Sequence, residues 1–469
     1  DRHAVRAGSG SMAIAQTDVV SATLPGRSVA PRPLSSLGAL FRIWRDPIGF
    51  FSETALRYGA VARFSIAGRD VIVVADPDVA RQVLHQNAAR YRKNFGALRD
   101  LIGQGVLTAE GALWRRLREL EQPVFRPSRM PDSAPSIVAA ADATIADWAE
   151  AARSNRRIGI EPAIGRATLA VIVEFLLGSR LGGRAEAVRR DMEVVLAHAG
   201  RRAFALTALS GRLPTPENLA CRRALARLDV FCAGLVAERR ANPGNHDDLL
   251  SQLIDACDSP AWPEIDARQV RNEIMTYLFA GQETTATLLV WALHLLARNP
   301  ACQARLKGEY ERALAAGLVS PLAMDRVPMA EAVMQEAMRL YAPAWAISRT
   351  ALAEDAIGGV AVRKGSIVVV CVQAMHRRPE LWDEPESFRP ERFDRQAAGR
   401  ARHPFQYIPF GAGPRTCVGS RLAMLEAPYM VARLVQAYRF APADAKPVAL
   451  RSTITLRPRD PLRLEIGSW

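Results

Sequence analysis

From residue 111 to about residue 320, apolar side chains recur every three to four positions almost without pause. Only prolines and an Asn-Pro-Gly turn interrupt the period, at 123–127, 214–216 and 242–244. A segment that long with helical period cannot be laid out as a sheet, because a strand changes face at every residue. It demands a mainly helical domain. Shorter signals surround it. Asp46-Pro47 marks a helix start, residues 60–66 and 70–74 alternate like two strands joined by Ala67-Gly68-Arg69, and Pro77 opens another helix. Strand character returns at 360–362, at 366–372 and along the tail 453–466. The expected architecture is mainly α with a small β region.

At 469 residues the chain exceeds the usual length of one core, yet no linker or low-complexity break divides it after the first few dozen positions. With 49% hydrophobic and 23% charged residues it can bury a large core, so residues 35–469 read as one large domain. Residues 1–11 precede Met12 and read as leftovers of expression. Residues 12–34, with Pro25, Pro31 and Pro33, read as an extended lead. No run of eighteen uncharged apolar residues stands near the start, so no membrane anchor is expected.

The six cysteines and seven histidines lack the spacing of a disulfide framework or a zinc site, and a reducing cytoplasm is the expected location. Net charge is +14, but lysine stands only at 93, 307, 364 and 446, so the excess is arginine spread along the chain. No basic run is interleaved with aromatics, which argues against nucleic-acid binding and for an acidic protein partner.

One cysteine has special surroundings. Cys417 lies in Phe410-Gly411-Ala412-Gly413-Pro414-Arg415-Thr416-Cys417-Val418-Gly419, where glycines allow close backbone approach to a bulky flat partner. The segment 420–433 is apolar at helical spacing, and a helix starting there places its positive end near the sulfur. The expected result is a lowered thiol pKa and a thiolate ligand.

Further upstream, residues 271–298 form a long helix whose middle reads Ala280-Gly281-Gln282-Glu283-Thr284-Thr285. Glycine in a helix interior costs about 1 kcal/mol, and a threonine hydroxyl can capture a carbonyl one turn back. A local distortion is expected there, with an acid and an alcohol side by side. Glu336 and Arg339, three apart, share a helix face, as do Trp114 and Arg118, four apart.

In the chain order Trp114 to Arg118, Ala280 to Thr285, Glu336 to Arg339 and Phe410 to Gly419, these four motifs resemble the cytochrome P-450 monooxygenases, whose loop Phe-Gly-x-Gly-x-Arg-x-Cys-x-Gly is filled at every fixed position. The resemblance runs from about residue 33 to the end. It implies haem b with Cys417 as the iron ligand and Phe410 in the same loop. It also implies haem-propionate contacts from Trp114, Arg118, Arg349 and Arg415, and a structural triad of Glu336, Arg339 and Arg392. Thr284 would hold oxygen and its waters, and Glu283 would deliver protons.

By the same resemblance, the substrate pocket draws on Phe95, Leu98, Phe279, Ala280, Trp345, Ile347 and Ile454, with the segment 204–209 beside it. The pocket is mostly apolar, which suits a terpenoid, fatty-acyl or polyketide compound. Electrons from NAD(P)H would arrive through a ferredoxin or flavodoxin with its reductase, received at a face of Arg115, Arg116 and Arg421, and the protein would work as a monomer. A peroxide-driven peroxygenase and a haem sensor without turnover are the alternatives. The acid-alcohol pair counts against the first, and product formation separates the second.

Overall fold

The computed structural model describes residues 36–469 apart from 67, 204–212, 245–246, 319 and 395–401. Residues 1–35 and the segment 204–209 therefore lie outside the described residues.

Helix starts follow their local chemistry. Asp46 accepts from the Gly49 amide at 2.9 Å ahead of Pro47–Tyr58, and Asp76 caps Pro77–Arg81 through Val79 N at 3.0 Å. Thr215, Asp248 and Asp266 do the same for Pro216–Ala241, Leu249–Cys257 and Ala267–Tyr277. Each side-chain oxygen satisfies an amide that the first turn leaves without a carbonyl.

The hairpin forms as expected, Val61–Ile66 running antiparallel to Arg69–Val74. These strands begin a five-stranded sheet that continues through Ile367–Val370, Ile347–Ala351 and Tyr91–Lys93. Arg69–Val74 and Ile367–Val370 pair in parallel, and Ile72, Val73, Val74, Val368 and Val370 are fully buried. A β-branched run covered on both faces is what a parallel pair inside a domain requires. The strand expected to run to residue 372 ends at Val370, and Val372–Met375 is a short helix. The tail divides into Leu450–Ser452, Leu456–Pro458 and Arg463–Gly467. Arg157–Gly159 is a strand inside the segment expected to be helical, held as the edge partner of Arg463–Gly467.

Two apolar cores result, a large one among the helices and a smaller one under the sheet. Between them lies a cavity of about 1900 Å³, its mouth included, lined by Phe279 and Leu288 on the helical side and by Ala346 and Ile347 on the sheet side. Among the described residues no helix is long and apolar enough to cross a membrane.

Candidate active site

The long helix is broken as its sequence requires. Ala267–Tyr277 and Glu283–Ala297 are α-helical, and Leu278–Gln282 between them widens into a π turn. Thr284 Oγ1 donates to Ala280 O at 2.8 Å, the predicted capture one turn back. Gly281 is required by packing as well, since a Cβ there would stand 2.4 Å from Ile172 Cδ1.

Glu283 is not free. It is 2% exposed, takes both Nε and Nη2 of Arg457 on its two oxygens, and accepts from Thr455 Oγ1 at 2.5 Å. Sequence reasoning missed Arg457, which sits 174 residues away with no local signal. Glu161 and Glu193 also face that guanidinium, whose own burial opposes its charge.

Across the cavity, Cys417 is packed by protein on nearly every side yet leaves its sulfur open to the cavity. Its amide donates to Phe410 O at 3.0 Å, closing the loop, and Ser420–Ala437 begins three residues on. The Gly419 amide, Lys93 and Arg118 favour the thiolate as expected, but burial outweighs them and raises the thiol pKa. The expected depression is therefore corrected: burial wins over these donors, and a metal bound to the sulfur would favour the thiolate.

The glycines also shape the loop itself. Gly411 and Gly413 both adopt φ of 72°, and a Cβ on Gly413 would lie 1.9 Å from the carbonyl oxygen of Leu84. They allow the loop to turn and to dock on its neighbour.

Four cations ring one end of the cavity. Arg118 donates to Thr416 O at 3.2 Å, and Arg349, on Ile347–Ala351, donates to Ser348 O at 3.1 Å. Arg415 holds Ala109 O and Glu110, with its guanidinium 3.9 Å above the Trp114 ring. Lys93, absent from the sequence reading, is the fourth and donates to Leu107 O at 3.1 Å. Burial and mutual repulsion push Lys93 down to about 7 and Arg349 down to about 10. Glu110 is the carboxylate that acts on Lys93, Arg349 and Arg415, so these three are short of negative charge, and a ligand carrying two carboxylates would correct that.

Glu336 and Arg339 are fully buried and paired through two bonds of 2.8 Å, with Arg392 Nε at 3.1 Å from the same carboxylate. Arg339 also donates to the carbonyls of His376, Pro385 and Ser387. His376 Nε2 in turn accepts the Ile408 amide at 3.1 Å, two residues before the cysteine loop. Burial lowers His376 to about 3, so the ring is neutral and able to accept.

Phe95, Leu98, Phe279, Ala280, Ile347 and Ile454 line the cavity as expected. Trp345 does not: it is 6% exposed and packs 6.1 Å from Phe51 in the sheet core, while Ala344 and Ala346 on either side face the cavity. Ile172, Leu176 and Leu196 complete the wall. Of the arginines expected at a docking face, Arg116 is engaged, bound to Glu264 at 2.7 Å and stacked on Trp262, whereas Arg115 and Arg421 are exposed.

A cysteine loop facing a kinked helix across one cavity, in a mainly helical domain with small sheets, defines a haem-thiolate oxygenase, and residues 29–466 match the cytochrome P-450 family: the chain belongs to it and is a cytochrome P-450 monooxygenase. It is 29% identical to cyclooctatin synthase of Streptomyces melanosporofaciens over 93% of this chain and 95% of that protein. It is 28% identical to the cyclooctat-9-en-7-ol 5-monooxygenase of the same organism over 88% of this chain and 89% of that one. Pentalenene oxygenase of Streptomyces avermitilis is 29% identical over 90% of this chain and 93% of its own.

Proposed function

We propose that this monooxygenase binds haem b through the Cys417 sulfur and hydroxylates a cyclic terpenoid. The observation that carries the proposal is that a single cavity gathers the Cys417 sulfur, the four cations and the kinked turn at Thr284. Arg118, Arg349, Arg415 and Lys93 hold the propionates, and Trp114 supports Arg415 from below. A haem held there would supply oxygen activation, with two electrons and two protons taking one oxygen atom to water while the other enters a C–H bond.

The chain's own residues supply protons and shape. Thr284 Oγ1 spends its hydrogen on Ala280 O and so presents its lone pairs to a water in the widened turn. Glu283 relays protons from its buried carboxyl, which Arg457 and Thr455 hold in place. Phe95, Leu98, Phe279, Ile347 and Ile454 exclude water and fit an apolar ring system. The names of the relatives, with pentalenene and cyclooctat-9-en-7-ol among their compounds, favour the terpenoid class over fatty-acyl and polyketide ones. Electrons come from NAD(P)H through a ferredoxin or flavodoxin and its reductase, docking near Arg115 and Arg421.

The test is optical titration of the holoprotein with a panel of cyclic terpenes, followed by turnover with NADPH, ferredoxin and reductase. The expected result is a spectral shift for a subset of the panel and a product with one added oxygen. Absence of any shift or product across the panel overturns the substrate class, and equal turnover with peroxide alone overturns the electron route.

A further inference from the structure

Two buried carboxyl groups play no part in this scheme. Glu121 ends the helix Gly111–Glu121, Glu273 lies on Ala267–Tyr277, and both are 0% exposed. Tyr277 donates its hydroxyl to Glu121 Oε2 at 2.5 Å. Glu121 Oε1 is buried with no hydrogen-bond partner among the described residues, and the Glu273 carboxyl, one turn before Tyr277 on the same helix, is the neighbouring acid that interacts with Glu121. Ionised carboxylates only accept, so this contact needs a proton on one of the two.

Glu273 holds more than its partner. Its Oε2 accepts the Val106 amide at 3.0 Å, and its Oε1 accepts from Gln269, whose side chain also donates to Gln104 O at 2.7 Å. The segment 103–107 thus lies fastened along the kinked helix. Gly103 and Gly105 make the approach possible: a Cβ at either would stand about 2 Å from the side chain of Asn272 or Thr276, at 2.0 and 1.9 Å respectively. Val106 and Leu107 at its end form part of the cavity wall, and Leu107 O receives Lys93.

We propose that Glu121 and Glu273 are positioning residues for the substrate wall, a carboxyl pair sharing one proton that fastens residues 103–107 to the kinked helix. The proposal concerns the shape of the wall and does not depend on which compound fills the cavity. The ionisable groups facing the pair are Arg118 from the helix of Glu121 and Tyr277 from the helix of Glu273. Burial pushes both acids up, Glu273 to about 7, and Arg118 offsets this only in part at Glu121. Loss of the shared proton leaves two adjacent carboxylates in the interior, and they relax by separating. Glu273 is the one that carries the Val106 amide.

The test is hydrogen exchange of the 103–107 amides in the holoprotein between pH 6.5 and 9, corrected for intrinsic exchange, for wild type, Glu121→Gln and Glu273→Leu. Glutamine reproduces the protonated acid, donating to Glu273 and accepting from Tyr277. The expected result is at least a tenfold loss of protection in wild type as pH rises, full protection at every pH in Glu121→Gln, and weak protection at every pH in Glu273→Leu. Protection in wild type that does not change with pH, or a Glu121→Gln variant that loses it in step with wild type, overturns the proposal. Should Glu273→Leu fail to fold, the comparison of wild type with Glu121→Gln decides alone.

Discussion

Thr284 closes its hydroxyl on a carbonyl of its own helix, so removing it takes away one bond worth about 1 kcal/mol. A large functional effect with a small stability effect is therefore expected from Thr284→Ala: reductant is consumed, peroxide is released and product falls, while the melting temperature stays close to wild type. Unchanged coupling between reductant and product removes Thr284 from the relay. Arg457 behaves in the opposite way. Replacing it by Met strands Glu283, 2% exposed, without its cation, at a cost of about 3 kcal/mol. Arg457→Met is expected to lower both the melting temperature and the turnover rate, and the double variant Arg457→Met with Glu283→Gln to recover most of the stability but not the rate. Full recovery of the rate in the double variant shows that Glu283 carries no protons.

The helix Pro328–Leu340 matters through what its charged face reaches. Glu336 and Arg339 look in sequence like a solvated pair of small worth, yet both are 0% exposed and connect through His376 to Ile408, two residues before the cysteine loop. Glu336→Ala leaves two guanidiniums, Arg339 and Arg392, without their carboxylate, and the expected loss exceeds about 3 kcal/mol. Such a variant should retain helical circular dichroism at low temperature while binding hemin poorly. Normal hemin retention with an unchanged melt contradicts the coupling. Neither the burial of this pair nor its reach was readable locally, because helical spacing reports that two side chains meet and not what covers them. The kink at 278–282 was readable, because Gly281 and Thr284 act on the turn in which they stand.

The same distinction runs through the whole molecule. The helix starts at Asp46-Pro47 and Pro77, the hairpin and the cysteine loop are local devices, and the sequence reading located them. The cavity wall is not local: Glu161–Leu177 is apolar nearly all round, so nothing in its period separates Ile172 and Leu176, which face the cavity, from neighbours that face the core. Trp345 was misplaced because its segment precedes a strand and has no period from which to choose a face. Burial of this extent also sets how the molecule answers to acid. His294, 6% exposed on Glu283–Ala297, is pushed down from 6.5 to about 4 by desolvation and by Arg298. The folded protein therefore binds this proton less readily than the unfolded chain, and stability falls as pH drops from 6.5 toward 4. Between pH 7 and 5 this one ring accounts for a loss of about 2 kcal/mol. His294→Gln is accordingly expected to match wild type to within about 1 kcal/mol near pH 7 and to keep about 2 kcal/mol more of that stability at pH 5, read from urea midpoints. Parallel declines in the two proteins would show that the ring stays as easily protonated in the fold as outside it.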